Sequence, residues 1–445
     1  MSEWRAGVAE ADITPPLGVD MTGYGNRPGP ADHVLDRLAV RALVLQHGDE
    51  PPIALTGADL LGLGNEQISS IRGALAGDIS AERLLLNHSH THAGPTTAPL
   101  RAMGSPDWDY CRMVVRQTVS VVRAALRSMR PVHVSAGVSS TAIGLNRREL
   151  RAGKIVLGEN PTGLFDSAVR VLRLDDAATG APFACWLSHG THPVVMGPSN
   201  TGISGEWPGV ACRELARVLG CPVVFAQGCC GDVNPIRRGG YDQVVRVGRE
   251  LAGSAWVAWE RAEPVALGEG RALGAALETV GLTPRIPSVA DAEAALALAE
   301  EKARALTESF GRPLSRDESL RRVESSAVPW AHDHLRVAQH GGAEPIPIDV
   351  QAIRLGDFTV AATGAETFVA TGLALIARSK TRWTAPLGYS NGCFGYLPPR
   401  DEYPRGGYEV DGAYRYYGTL MVADDSEARV VEAGERVLAA AGSAV

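Results

Sequence analysis

Apolar runs and helical spacings alternate along this chain in a regular order. Residues 38–46 and 53–61 are apolar runs parted by His47-Gly48-Asp49-Glu50-Pro51-Pro52, a pattern that predicts a strand, a turn and a second strand. Residues 66–75 carry the apolar spacing of a helix and 84–86 form a short apolar strand. Further on, a helix fits 110–128, strands fit 132–139, 168–174 and 183–187, and a helix at 209–219 precedes a strand at 222–226. A helix at 243–261, strands near 349–355 and 358–362, and helices at 367–378 and 427–440 continue the series. Strands interleaved with helices predict an α/β protein built of layered mixed β-sheets covered by helices. Residues 288–340 break the rhythm. Residues 290–305 are rich in Ala, Glu and Leu, and a charged stretch at 315–324 leads to Pro329-Trp330. We read this as a helical insertion, either overhanging a site or standing free as a solvated hairpin. No fixed-period repeat and no low-complexity linker cuts the chain, so residues 1–445 are expected to form one catalytic-size domain around that insertion.

Composition narrows the partners. Lys and Arg number 43 against 50 Asp and Glu, a net charge of −7, which lacks the basic field that nucleic-acid binding requires. With 45% hydrophobic and 21% charged residues the chain has ample material for a large core. The opening Met1-Ser2-Glu3-Trp4-Arg5 has no apolar signal core, and no run approaches the roughly 18 apolar residues of a membrane span. A cytoplasmic protein is therefore expected. The 7 cysteines show no CxxC or zinc-finger spacing and are expected to be reduced and mostly buried.

The chemistry concentrates at strand ends. In Leu84-Leu-Leu-Asn-His88-Ser-His90-Thr-His92, three of the 11 histidines fall at alternate positions after an apolar strand. An extended chain would send all three to one side, and clustered neutral imidazoles suit Zn²⁺. The bland alternative is a polar strand end with satisfied histidines. Ser188-His189-Gly-Thr-His192-Pro193 repeats the theme after another apolar strand, and a structural turn explains it as well. Asp232, in Gly231-Asp-Val-Asn-Pro235, either braces a site or caps a tight turn. Glu366 sits where a strand meets a helix, a place for a metal ligand or for an ordinary helix N-terminal acid. No phosphate loop, dinucleotide fingerprint, GxSxG elbow or HExxH helix occurs, which leaves hydrolysis at a histidine-rich metal centre.

These motifs, taken in order, resemble the neutral (non-lysosomal) ceramidase family of zinc amidohydrolases. The similarity runs from Ala6-Gly-Val-Ala-Glu-Ala-Asp12-Ile-Thr-Pro-Pro through Ala58-Asp59-Leu, His90-Thr-His92-Ala-Gly-Pro, Leu145-Asn146-Arg147 and His189-Gly-Thr. It continues through Phe225-Ala-Gln, Gly231-Asp232-Val, Gly364-Ala-Glu366-Thr-Phe, Gly388-Tyr-Ser-Asn391, Gly395-Tyr396-Leu, Glu402-Tyr403 and Tyr408-Glu409. The resemblance implies a catalytic zinc held by His90, His189, Glu366 and Tyr396. It places His92 beside the metal-bound hydroxide and Arg147 on the scissile carbonyl. The implied activity is hydrolysis of an amide in an N-acylated small molecule. An ester or lactone hydrolase on the same zinc, or a non-catalytic zinc-stabilised binding protein, are the alternatives. The family's added C-terminal β-sandwich is not expected here. His88 and His192 stand where the family has small residues, which implies an altered pocket and leaves a second metal open. The expected partner is a small N-acyl substrate, with no nucleic acid, no membrane span and self-association left open.

Overall fold

Three pairs of parallel strands organise the molecule, and all three deliver their carboxyl ends to one place. In the computed structural model, which describes residues 3–268 and 270–443, the large sheet runs in a fixed spatial order. That order is Val223–Gln227, Pro182–His189, Ala168–Asp176, Arg130–Ser140, Trp4–Asp12, Ala39–His47, Ile53–Ala58 and Leu84–His88, with Glu263–Pro264 pairing alongside Arg130–Ser140. The middle of this sheet is antiparallel. At one margin Ile53–Ala58 and Leu84–His88 are parallel, and at the other Pro182–His189 and Val223–Gln227 are parallel. Each parallel pair needs a crossover, supplied by the helices Asn65–Leu75 and Glu206–Leu219.

The two margins then meet. The Asn87 side chain donates to Gln227 O at 3.3 Å and accepts from Gln227 N at 2.7 Å. Gly57 lies so close to Phe225 that an added Cβ would stand 2.1 Å from its carbonyl oxygen, so only a residue without a side chain permits this closure.

A second sheet, ordered Leu273–Leu282, Ile346–Leu355, Phe358–Thr363 and Trp383–Leu387, packs on the first. Its last pair is also parallel, with Val369–Arg378 as the crossover helix. Trp4, Leu43, Leu85, Trp186, Phe358 and Leu387 belong to one buried cluster between the sheets, where Trp186 meets Phe358 edge-on at 5.9 Å. The outer face of the first sheet is covered by helices that include Trp108–Arg127 and Tyr241–Glu260. The second is covered by Ser426–Gly442 through Val430, Ala433 and Val437. The α/β class with layered mixed sheets is therefore the observed architecture. Among the described residues no helix is long and apolar enough to cross a membrane.

Several elements escape the pattern reading. The hairpin Gly144–Arg151 and Lys154–Asn160 is dense in charged residues, and Leu273–Leu282 has weak alternation, so neither announces a strand. The 288–340 span does fold as helices, Val289–Phe310, Arg316–Leu320 and Val323–His340. It packs on the molecule rather than standing free. Arg321 pairs with Asp20 at 2.6 Å, Arg101 pairs with Asp333 at 2.8 Å, and Val323 N donates to Asn26 Oδ1 at 3.0 Å.

Candidate metal centre

The strand Leu84–His88 stops before the histidine series does. His90 has a φ of 63°, in the left-handed region, so the chain turns and the extended arrangement expected for His88, His90 and His92 does not form. His88 stays under the site with Nδ1 3.2 Å from Tyr389 O, and burial pushes its pKa down to about 4. The turn instead brings His90 and His92 together with His192. Ligand atoms of these three lie within 4.8 Å of one another, and the His90 ring stands edge-on to His92 at 5.0 Å and to His192 at 5.3 Å.

Glu366 completes the cluster. Its Oε2 is 2.9 Å from His192 Nε2 and 3.4 Å from His90 Nε2, and its Oε1 accepts from the Tyr417 hydroxyl. Backbone carbonyls hold both imidazoles from behind. His90 Nδ1 is 2.9 Å from Leu61 O and His192 Nδ1 is 2.7 Å from Cys230 O. A ring that donates Nδ1–H to a carbonyl presents the lone pair of Nε2 forward, the tautomer that ligating histidines adopt. His92 is held differently. Among the described residues neither of its ring nitrogens has a hydrogen-bond partner although both are buried, and its ring is fixed by packing against Gly23 and edge-on against Tyr24 at 5.1 Å.

Burial pushes the His192 imidazole down to about 4 and His92 well below its ordinary value. For Glu366 burial acts upward, but the attraction and hydrogen bonding of His90 and His192 outweigh it and hold the carboxyl well below the usual range. The cluster thus sets the Glu366 carboxylate within 3.4 Å of the Nε2 atoms of His90 and His192, groups of the kind that hold a cation. The Nε2 of His90, without a hydrogen-bond partner among the described residues, fits the same need.

The structure does not bring the expected ligand His189 into this cluster. That residue is the last of its strand, with Nδ1 3.1 Å from Ala168 O and Nε2 3.0 Å from Thr191 Oγ1, and its ring packs near Phe165 and Trp207. Both nitrogens are occupied away from the cluster. His192, in the loop beyond the strand end, is the histidine of that stretch that joins the cluster. Tyr396 lies beside the cluster, stacked on His192 at 6.4 Å, with its hydroxyl 2.9 Å from Arg147 Nη2. Arg147 is buried and also donates to Glu409 at 2.8 Å and Asn234 at 3.3 Å. Asp232 braces the site, accepting from Asn146 and from Val369 N, each at 2.9 Å. Tyr417 has no signal in the sequence, whereas Glu409 belongs to a motif that the resemblance already marks.

Two packed sheets with helical outer layers, and a buried histidine–carboxylate cluster where three parallel pairs end, define a particular α/β architecture. It is the fold of neutral ceramidase. The crystal structure of neutral ceramidase from Pseudomonas aeruginosa superposes with a TM-score of 0.73 at 18% identity, covering 98% of this chain and 74% of that one. A ceramidase complexed with C2 gives a TM-score of 0.74, also at 18% identity, over 98% of this chain and 75% of that one. No protein-family model and no curated protein matches the chain. The resemblance read from the sequence motifs and the likeness of fold agree.

Proposed function

We propose that the protein is a zinc-dependent hydrolase that cleaves the amide bond of an N-acylated small molecule. The observation that carries this is the convergence of His90 and His192, each with Nδ1 tied to a carbonyl, on the Glu366 carboxylate. The fold shared with ceramidases supports the same chemistry. His90, His192 and Glu366 would hold the ion, three protein ligands being the usual number for a catalytic zinc. Zinc so held supplies Lewis acidity and acidifies a water to near neutrality.

His92 serves as the acid–base group. Its buried ring has no backbone carbonyl fixing a tautomer, so either nitrogen is free to take a proton and pass it to the departing amine. Burial holds the Tyr396 phenol well above its ordinary pKa, so it stays protonated. Because Arg147 donates into its oxygen, the Tyr396 proton is left to hydrogen-bond the scissile carbonyl as charge develops there. Arg147 acts here as a positioning residue for Tyr396, its guanidinium anchored by Glu409.

The test is a screen of the zinc-loaded protein and His192→Ala against N-acyl amines, N-acyl amino acids, ceramides, simple esters and lactones. Zinc-dependent turnover of amides, absent in the variant, is expected. Turnover confined to esters or lactones replaces the amide assignment, and zinc binding without turnover of any class makes the protein a binding module.

A further inference from the structure

Next to the cluster, the helix Val323–His340 and the segment 408–416 enclose a cavity of about 140 Å³. The helical insertion builds one wall with Val323, Ser326, Ala327 and Trp330. The opposite wall includes Tyr408, which packs on Tyr396 beside the metal centre. Tyr408 stands edge-on to Tyr396 at 5.8 Å, the Arg147 guanidinium lies 5.4 Å from the Tyr396 ring centre and 5.8 Å from that of Tyr408, and Tyr396 in turn stacks on His192. The cavity is therefore two rings away from a proposed ligand.

Its lining offers donors and no carboxylate. Arg415, an exposed residue, lies over the Trp330 ring at 4.9 Å, and among the described residues its guanidinium makes one hydrogen bond, to Asp411 O at 3.3 Å. Among the described residues no carboxylate stands within ion-pair distance of it. Arg101 is held by Asp333 and its buried Nε has no partner. Tyr408 and Tyr416 also line the cavity, and among the described residues neither hydroxyl makes a hydrogen bond. An available guanidinium, free phenol donors and a flat apolar floor recognise an anion carried on a small body. Size sets the other limit. At about 30 Å³ for a water-sized group the cavity admits only a few such groups, well short of the roughly 300–1,000 Å³ of pockets for drug-sized ligands.

We propose that this cavity is the specificity pocket of the enzyme and takes a compact, carboxylate-bearing end of the substrate, held by Arg415 with the Tyr408 and Tyr416 hydroxyls. The inference rests on the amide-hydrolase assignment of the adjoining cluster, and its test separates the two. Monoamides of short dicarboxylic acids, N-acetyl amino acids, neutral alkanoyl amides of matched length and long-chain fatty amides are compared by kcat/KM in the wild-type protein, Arg415→Ala and Arg415→Lys. A charged hydrogen bond contributes enough to favour the carboxylated amides by about ten- to a hundredfold. That preference should collapse in Arg415→Ala and survive in part in Arg415→Lys. A preference for fatty amides, or one that Arg415→Ala does not alter, overturns the pocket while amide hydrolysis stands. Should no amide be turned over, the hydrolase assignment fails, and calorimetry with glutarate decides the pocket by itself. Binding lost in Arg415→Ala supports it, and binding absent from the wild type or unchanged in the variant overturns it.

Discussion

At the scale of single residues, the difference between His189 and His192 is the sharpest claim. His192→Ala removes an imidazole whose Nε2 faces Glu366, so bound zinc should fall from about one per chain to near none. His189→Ala deletes a ring whose nitrogens are both spent on Ala168 and Thr191, and zinc should remain while the fold loosens. Elemental analysis of the two variants decides, and zinc loss confined to His189→Ala would restore the ligand set implied by the resemblance. In His92→Ala zinc should persist with kcat down about 10²–10⁴-fold, the range for a lost acid–base group. Loss of zinc there instead makes His92 a ligand. A titration tests the support of this loop. Glu206 accepts from Met196 N at 2.8 Å and Trp207 N at 3.2 Å, and the Trp207 indole donates to His192 O at 3.2 Å. Burial raises the Glu206 pKa from 4.5 to about 7. The folded state therefore binds more protons than the unfolded one between those values, and this residue's contribution to stability declines as pH rises through that window. Denaturation of wild type against Glu206→Gln should show a difference that grows in favour of the variant by about 3 kcal/mol from pH 4.5 to 7, on top of a constant offset from the altered acceptor. A pH-independent difference overturns it. These assignments were legible in the sequence only as residue types. Ser188-His189-Gly-Thr-His192 displays two histidines, and which one turns inward depends on where the strand ends.

Among elements, the insertion matters because a short loop carries its position to His92. Asn26 N donates to Arg321 O at 2.8 Å and Asn26 Oδ1 accepts from Val323 N at 3.0 Å, while three residues earlier Gly23 lies against the His92 ring. At Gly23 φ is +90° and an added Cβ would stand 2.5 Å from His92 Cγ. Gly23→Ala should thus displace His92 and lower kcat by about a hundredfold, as a shift near 1 Å at reacting groups does, with zinc retained. Gly29→Ala, in the same loop with nothing within 4 Å of the added methyl, is the control that should stay active. Equal activity in the two variants removes the loop from the mechanism. The helices and most central strands were readable from periodicity because each buries one stripe or one run against a neighbour. The charged hairpin Gly144–Arg151 and Lys154–Asn160 was not, since Arg147 and Arg148 are buried by pairing with Glu409 and Glu402, partners more than two hundred and fifty positions away that no local pattern reveals.

For the whole molecule, the arrangement of parallel pairs explains why the site and the fold are coupled. His90 follows the first margin of the large sheet, His192 follows the second, and Glu366 follows a strand of the other sheet. Asn87 already joins the three junctions, donating to Gln227 O, to Gly388 O at 2.9 Å and to Ser390 Oγ at 3.0 Å. An ion held by His90, His192 and Glu366 ties the same three ends a second time. Nothing local in the sequence specifies this meeting, because it depends on the curl of a sheet whose first and last strands lie far apart in the chain. The resemblance carried it only through the order of the motifs. Since the unfolded chain cannot assemble these ligands, zinc binds the folded state alone and stabilises it by about 2.7 kcal/mol when free zinc stands at a hundred times its dissociation constant. Removing zinc with a chelator should therefore lower the unfolding midpoint by a few degrees, and adding zinc back should restore it. In His192→Ala the two melting curves should coincide, because the cross-tie is gone before the chelator acts. A wild-type midpoint indifferent to chelator would separate the cluster from the stability of the fold and would falsify the idea that a metal joins the three strand ends.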